Sequence, residues 1–352
     1  MIKYLGSKKT LLPAIEEVVR GLEGSESVID LFSGTSRVGH HLKKCGYKVH
    51  SNDLNTYAYT LASCYVVADK EETEAIVRPL IKQMNQIKAK EGYFTKTFCE
   101  DSLFFQPKNG EKIDAIREWI ETQNFSWEIK SILLVSLMEA ADRVDSTCGI
   151  QMAYLKNWSA RSHNDLELRI PALVSRPKAG KCSATHMDAI VAASKLSGDI
   201  AYLDPPYNQH KYLGNYHIWE SLVRWDKPEV YGKARKRIDV RERKSTFNQK
   251  KKICDAMQKM VDSLDVSHII VSFNNEGYIS QEEMTEILSS RGDVLCISKD
   301  YKRYVGAQIG IHDRKGQKVG AVSHLQNKEF IFLVSDPSKM NQSVKLIDSL
   351  KK

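Results

Sequence analysis

Val28-Ile-Asp-Leu-Phe-Ser-Gly-Thr35, a helical stretch to Cys45, and Tyr47-Lys-Val-His-Ser-Asn-Asp53 together decide the fold. The first run is apolar and of strand length, Gly34 marks a turn, and the second run ends in an acid. The order reads strand, tight turn, helix, strand, which opens a parallel sheet. On its N-terminal side, Leu11, Leu12, Ile15, Val18, Val19 and Leu22 recur at helical spacing over 8–22, with Pro13 acceptable in a first turn. Beyond Asp53 the pattern is helical from about 70 to 145. Ile76, Leu80, Met84 and Ile87 form one expected buried face, and Ile129, Ile132, Leu133, Leu137 and Ala140 another. Residues 146–182 carry Gly149, Pro171, Pro177 and Gly180 with little periodicity. The sheet pattern resumes with strands at 199–203 and 268–273 and helices at 216–225, 250–264 and 280–290. Strand-like runs follow near 293–298, 301–305, 319–323 and 329–334. The expected class is α/β, a Rossmann-like domain from 1–67 and 183–352 with a mainly helical insertion at 68–182.

Two turns carry chemistry. Asp30-Leu-Phe-Ser-Gly34 is followed, 19 residues after Gly34, by Asp53 at the end of the second strand. A nucleotide cofactor lies outside the carboxyl ends of parallel strands, where glycine lets it approach the backbone and an acid about 20 residues on accepts the ribose hydroxyls. Ser36 stands where a dinucleotide fingerprint has its second glycine, so a pyrophosphate is not indicated. Taken alone, the pattern also describes an ordinary strand-turn-helix unit with Asp53 as a cap. The second turn, Asp204-Pro205-Pro206-Tyr207, directly follows the apolar strand 199–203. Two prolines stiffen it and donate no N–H, which leaves carbonyls free to accept. It suits a planar amino-substituted base: the Asp204 carboxylate and Pro205 carbonyl accept from an exocyclic NH₂, and Tyr207 stacks on the ring.

Composition narrows the class. The 352 residues are 42% hydrophobic and 27% charged, ordinary for a globular protein, and no run approaches the roughly 20 apolar residues of a membrane span. Met1 to Leu12 lacks the apolar core of a secretory signal, so a cytoplasmic protein is expected. Seven scattered cysteines without a Cys-x-x-Cys pair, and ten histidines without metal spacing, point away from disulfides and from a metal. Basic residues exceed acidic ones by eight, and Lys233–Lys252 alone holds ten basic residues against two acids. That segment therefore accounts for the whole net charge and suggests an anionic partner.

With these motifs in place the chain resembles the D12-class N6-adenine DNA methyltransferases, the Dam-like α group, and within it the FokI-type modification enzymes. Lys3-Tyr-Leu-Gly-Ser-Lys8 is similar to the family's N-terminal Lys-aromatic-x-Gly-Gly-Lys motif, with Ser7 in place of the second glycine. Asp30-Leu-Phe-Ser-Gly34 resembles its S-adenosylmethionine loop, Asp53 its ribose-binding acid, Asp188 the acid near the cofactor adenine, and Asp204–Tyr207 its catalytic motif. Ser272-Phe-Asn-Asn-Glu-Gly277 and Tyr301-Lys-Arg-Tyr304 resemble late elements of the subgroup.

The resemblance implies S-adenosylmethionine as cofactor, contacted by Tyr4, Lys8, Asp53 and Asp204, with Gly6, Ser7, Asp30, Phe32, Gly34 and Asp188 around it. It implies a flipped adenine held by Asp204, Pro205, Pro206 and Tyr207, and double-stranded DNA as partner, with a cognate restriction endonuclease. Lys211, Lys233, Arg235, Lys236, Arg237, Arg241, Arg243 and Lys244 are expected on DNA phosphates. The insertion 68–182 occupies the target-recognition position, with Arg143, Lys156, Asn157, Arg161, Asn164 and Arg169 as donors able to read base edges. An RNA adenine methyltransferase and an N4-cytosine enzyme use the same pocket, although Asp at 204 leans to adenine. A protein-glutamine enzyme more naturally carries Asn there. An inactive nucleic-acid-binding scaffold is disfavoured by the intact acids at 53 and 204.

Overall fold

The computed structural model describes residues 1–209, 211–302, 311–312, 318–320 and 326–335. Seven strands form one sheet: β1 Ser27–Asp30, β2 Lys48–Asn52, β3 Ser183–Thr185, β4 Ile200–Leu203, β5 His268–Asn274, β6 Asp293–Lys302 and β7 Gln326–Ser335. Their spatial order is β3-β2-β1-β4-β5-β7-β6. β1 to β5 run parallel, and β7 inserts antiparallel between β5 and β6. The apolar runs read as strands are those of a sheet covered on both faces. Ile29, Leu31, Ala201, Val271, Phe273 and Phe332 pack under helices Ile253–Asp262 and Gln281–Ser289. Val28, Val49, Ile200, Ile270 and Leu333 pack under helices Leu12–Arg20 and Arg37–Lys44 on the other face.

Several expectations shift. The expected N-terminal helix is a short 3₁₀ turn, Lys8–Thr10, followed by Leu12–Arg20, with Pro13 in its first turn. The runs at 293–298 and 301–305 belong to one strand as far as Lys302, and the rest of the second run lies outside the described residues. The run near 319 contributes Lys318–Gly320, paired with Ile311–His312. β3 and a small ribbon, Val230–Tyr231 with Lys236–Arg237, were not expected. Helix Lys70–Gln86 buries Thr73, Val77, Ile81 and Met84, whereas Ile76 is 51% exposed. The expected face began one residue early, and the spacing that buries Val77 and Ile81 turns Ile76 to solvent. Helix Trp127–Arg143 buries Ile132, Leu133, Leu137 and Ala140 as its periodicity requires.

The helical region shares its core with the rest of the chain. One cluster joins Val77, Phe98, Ile116 and Leu134 to Tyr57, Leu61, Tyr216 and Trp219. Its contacts therefore cross the sequence positions 68 and 183. The irregular segment 146–182 is pinned by side chains: Arg176 pairs with Asp69 at 2.7 Å, and Asn85 both donates to and accepts from Leu168. Among the described residues no helix is long and apolar enough to cross a membrane.

Candidate active site

The strand order reverses between β1 and β4. The chain leaves β1 towards β2 on one side, and it leaves β4 towards β5 on the other. The loops that follow them diverge and open a cleft at the carboxyl edge of the sheet. Tyr4, Gly6, Ser7, Lys8, Asp30, Phe32, Gly34, Asp53, Asp188 and Asp204 all line this cleft, with Pro206 beside them. Gly34 and Gly6 have φ of +49° and +73°, where glycine is unstrained. A Cβ at Gly34 would lie 3.3 Å from the Tyr4 ring, and one at Gly6 3.1 Å from Tyr212 Oη. Ser7 has an ordinary φ of −56°, so the family's second glycine is not needed for the backbone here. Ser36 does adopt the left-handed region, at φ 58°, although it is not glycine. Tyr4 is fixed by stacking on Tyr216 at 4.5 Å and Tyr212 at 5.2 Å, and by a 3.2 Å contact between its hydroxyl and that of Tyr57.

The Asp204–Tyr207 turn is braced from β5. Asn274 Nδ2 donates to Tyr207 Oη at 2.8 Å, and the Tyr278 amide donates to the Tyr207 carbonyl at 2.8 Å. Phe273 meets the Tyr207 ring edge-on at 5.1 Å. Thus the motif 272–277 acts by holding the tyrosine. Lys8 Nζ lies 3.2 Å from Asp204 Oδ1 and 2.6 Å from Glu329 Oε1, and all three groups are largely buried. Burial opposes the lysine's charge, but Asp204 and Glu329 outweigh it and hold the Lys8 pKa well above its usual range. Burial pushes Asp204 up to about 6, although Lys8 draws it down. Glu329 escaped the sequence reading. It pairs with Asn274 in register, so the antiparallel course of β7 returns it to the carboxyl end of β5. The one signal was an acid opening the apolar run Glu329-Phe-Ile-Phe-Leu-Val334.

The other acids differ in how they are held. Asp53 accepts the Gly34 amide at 2.9 Å and the Asn55 amide at 2.9 Å, which ties the second strand's end to the glycine turn. Burial raises its pKa, and these amides offset part of the rise. Asp188 caps the helix Ala189–Ala193 by accepting the Ile190 amide at 2.9 Å. Asp30 is 1% exposed, and no side chain among the described residues engages its carboxyl oxygens; only the Phe32 and Gly39 amides approach them. Burial first, then the Asp204 and Asp53 charges, push it up to about 8.

The family model for D12 class N6 adenine-specific DNA methyltransferases matches residues 4–287, from the N-terminal motif through the whole of this cleft. The chain belongs to this family. It is 33% identical over 331 residues to the modification methylase StsI of Streptococcus sanguinis, covering 88% of this chain and 50% of the relative. It is 30% identical to the type II methyltransferase M.FokI of Planomicrobium okeanokoites, over 98% of this chain and 54% of the relative. With M.NlaIII of Neisseria lactamica it shares 29% identity over 94% of this chain and 100% of the relative. The chain thus spans about half the length of the StsI and FokI methylases.

In this D12 chain the basic segment divides into two sets. Lys233, Arg241, Lys244, Lys250, Lys251 and Lys252 are exposed. Arg237 is not available to phosphate: it is 1% exposed, bound to Asp226 at 2.6 Å and to Asp239 at 3.1 Å, because the small ribbon folds it inward. Arg243 lines the cleft and donates to Glu220 at 2.8 Å. Arg235 contacts Asp101 at 3.5 Å, Lys236 lies 2.8 Å from the Met152 sulfur, and Arg241 stacks on Tyr231 at 4.0 Å. Lys211 lines the cleft mouth.

Of the donors expected to read bases, Lys156, Asn157 and Asn164 are exposed. Arg161 is instead tied to Asp145 at 2.5 Å, Arg169 to Glu167 at 2.6 Å, and Arg143 to the Glu167 carbonyl at 2.6 Å. Tyr301 and Lys302 end β6, while Arg303 and Tyr304 lie outside the described residues. One trio of metal-type side chains escaped the spacing argument: Glu16, His41 and Cys45 converge within 4.8 Å from two neighbouring helices. The carboxylate is already engaged by His41 Nε2 and by Arg20, each at 2.6 Å.

Proposed function

We propose that this chain is a site-specific DNA methyltransferase that moves the methyl group of S-adenosylmethionine to N6 of an adenine flipped out of double-stranded DNA. The observation that carries the reading is the braced Asp204-Pro-Pro-Tyr207 turn at the end of β4, opening on the cleft that also holds Asp30 and Asp53. The cleft fits the cofactor. Asp30 offers carboxyl oxygens that no side chain engages, and the two positive-φ glycines let a ligand reach the backbone where a side chain would meet Tyr4 and Tyr212. Asp53 would take the ribose, Asp188 would lie near the adenine, and Tyr4 and Lys8 would form the N-terminal wall. S-adenosylmethionine supplies a methyl group on a sulfonium.

The chain's own part is positioning and electrostatics. The lone pair of N6 is delocalised into the adenine ring, so it is a weak nucleophile. Two acceptors, the Asp204 carboxylate and the Pro205 carbonyl, favour a more tetrahedral nitrogen whose lone pair points at the methyl group. Asp204 stabilises the positive charge that develops, and Lys8 keeps that carboxylate ionised near neutral pH. After transfer the proton on N6 leaves to solvent. Flipping costs a few kcal/mol, offset by stacking on Tyr207 and by pocket contacts.

The exposed lysines and Arg241 would meet phosphates, and the helical region 68–182 would supply recognition through Lys156, Asn157 and Asn164. The relatives' names, modification methylase and type II methyltransferase, support a place in a restriction-modification system beside an endonuclease of the same site. The test is transfer of labelled methyl groups to unmethylated genomic DNA and to total RNA, with modified bases located by single-molecule sequencing. N6-methyladenine at one DNA motif is expected. Label in RNA alone would overturn the DNA assignment, and binding without transfer to either polymer would favour a scaffold.

A further inference from the structure

The cations of the cleft are not equivalent. Lys8 is shared by Asp204 and Glu329, and Arg243 is held by Glu220. Lys211 is exposed at the mouth, where a DNA phosphate would meet it. Arg37 is different. It lines the cleft, is half-buried, and makes no hydrogen bond or ion pair among the described residues; its Nε is fully buried without a partner. Burial lowers its pKa from the arginine range, and the nearby Tyr65 returns only part of that. A desolvated guanidinium with nothing to bind is costly and calls for a ligand.

Its surroundings say which ligand. Arg37 begins the helix Arg37–Lys44, directly after the turn that follows β1, and Asp30 ends that same strand. Eight consecutive residues therefore present to one cavity a carboxyl group that no side chain engages and an unpartnered guanidinium. The complement is a molecule carrying an ammonium and a carboxylate close together, which is the amino-acid end of S-adenosylmethionine. Arginine suits the carboxylate because its planar fork can donate two parallel N–H···O bonds, whereas a lysine offers only a point charge.

We propose that Arg37 binds the α-carboxylate of the cofactor's methionine moiety, with Asp30 facing its α-ammonium. The inference rests on the methyltransferase reading above and names a binding residue outside the recognisable motifs. It also divides the labour of two cations of the cleft: Lys8 serves the catalytic carboxylate and Arg37 serves the cofactor.

The test is calorimetric binding to the full chain, without DNA and without turnover. Two ligands are compared: S-adenosylhomocysteine, and the thioether analogue that keeps the amine but lacks the carboxylate. The wild type is expected to prefer S-adenosylhomocysteine. Arg37→Gln should weaken it roughly 10- to 100-fold, as for loss of a charged hydrogen-bonded pair, and leave the analogue's affinity as in the wild type. Arg37→Lys should fall between. Retained binding of the analogue also reports that the variant is folded. Equal losses for both ligands, or no loss for either, would overturn the assignment. A wild-type protein that binds neither ligand would instead defeat the cofactor reading on which it stands.

Discussion

The helical region and the cleft both bury charge, and they satisfy it to different degrees. In the helical region every large buried ion is answered. Asp69, at the start of that region, meets Lys43 of the helix Arg37–Lys44 at 2.8 Å, both side chains fully buried, and Arg176 closes on the second oxygen of Asp69 at 2.7 Å. Asp114 accepts the Phe94 and Thr95 amides and the Thr95 hydroxyl within 2.9 Å. Arg117 donates to the carbonyls of Leu222 and Val223. At the cleft, among the described residues, Arg37 has no partner, Asp30 has no side-chain partner, and Asp204 has only a lysine that it shares. Paired groups of the first kind hold a shape. Unpaired groups of the second kind are retained where a ligand completes them.

The contrast can be broken most sharply at Asp204. Asp204→Ala removes an acceptor for N6, and methyl transfer should fall by at least about 100-fold, as for loss of one preorganised electrostatic group. The thermal midpoint should hold or rise, and activity with melting curves on one preparation checks both. Asp69→Ala should do the reverse. It strands Lys43 without its carboxylate, and a broken buried pair costs about 3–5 kcal/mol, so denaturant unfolding should shift strongly while residual folded enzyme keeps its cofactor affinity.

Glu329→Gln tests the shared lysine. Glu329 raises the Asp204 pKa, so its loss should lower that pKa below about 6 and move the acid limb of the rate profile to lower pH. A roughly tenfold fall in kcat is expected alongside, from disturbed placement of Lys8. An unshifted limb would make Glu329 structural only. The smallest effect concerns phosphate contact. Neutralising Lys250, Lys251 and Lys252 should flatten the salt dependence of DNA binding by roughly 2 to 3 units of slope. An unchanged slope would remove these lysines from the interface.

Much of this was legible because parallel strands place chemistry at their carboxyl ends. Asp30, Asp53 and Asp204 each lie where a strand-length run ends, and those runs become β1, β2 and β4 around one cleft. Glu329 was not legible, since only the antiparallel pairing of β7 with β5 brings a residue so distant in sequence to Lys8. The roles of the basic segment were not legible either. Charge density cannot tell Lys250, left in solvent, from Arg237, which a two-residue ribbon folds onto Asp226. The faces of helix Lys70–Gln86 misled for a related reason, because Ile76 and Val77 are equally apolar and only packing decides between them.

The central claim, that the cleft keeps polar groups short of partners until a ligand binds, is tested most directly by Asp30→Asn. With a folded pKa of about 8 against an ordinary aspartate value near 4, Asp30 contributes stability that is fully present below about pH 4. That contribution is lost as pH rises through about 8. The measurement is the thermal midpoint of wild type and Asp30→Asn from pH 5 to pH 9, with S-adenosylhomocysteine binding at each point. The account predicts that the variant gains on the wild type as pH rises, is more stable near pH 9, and binds the ligand more weakly. A variant less stable than the wild type by the same margin at every pH, with ligand affinity intact, would contradict it.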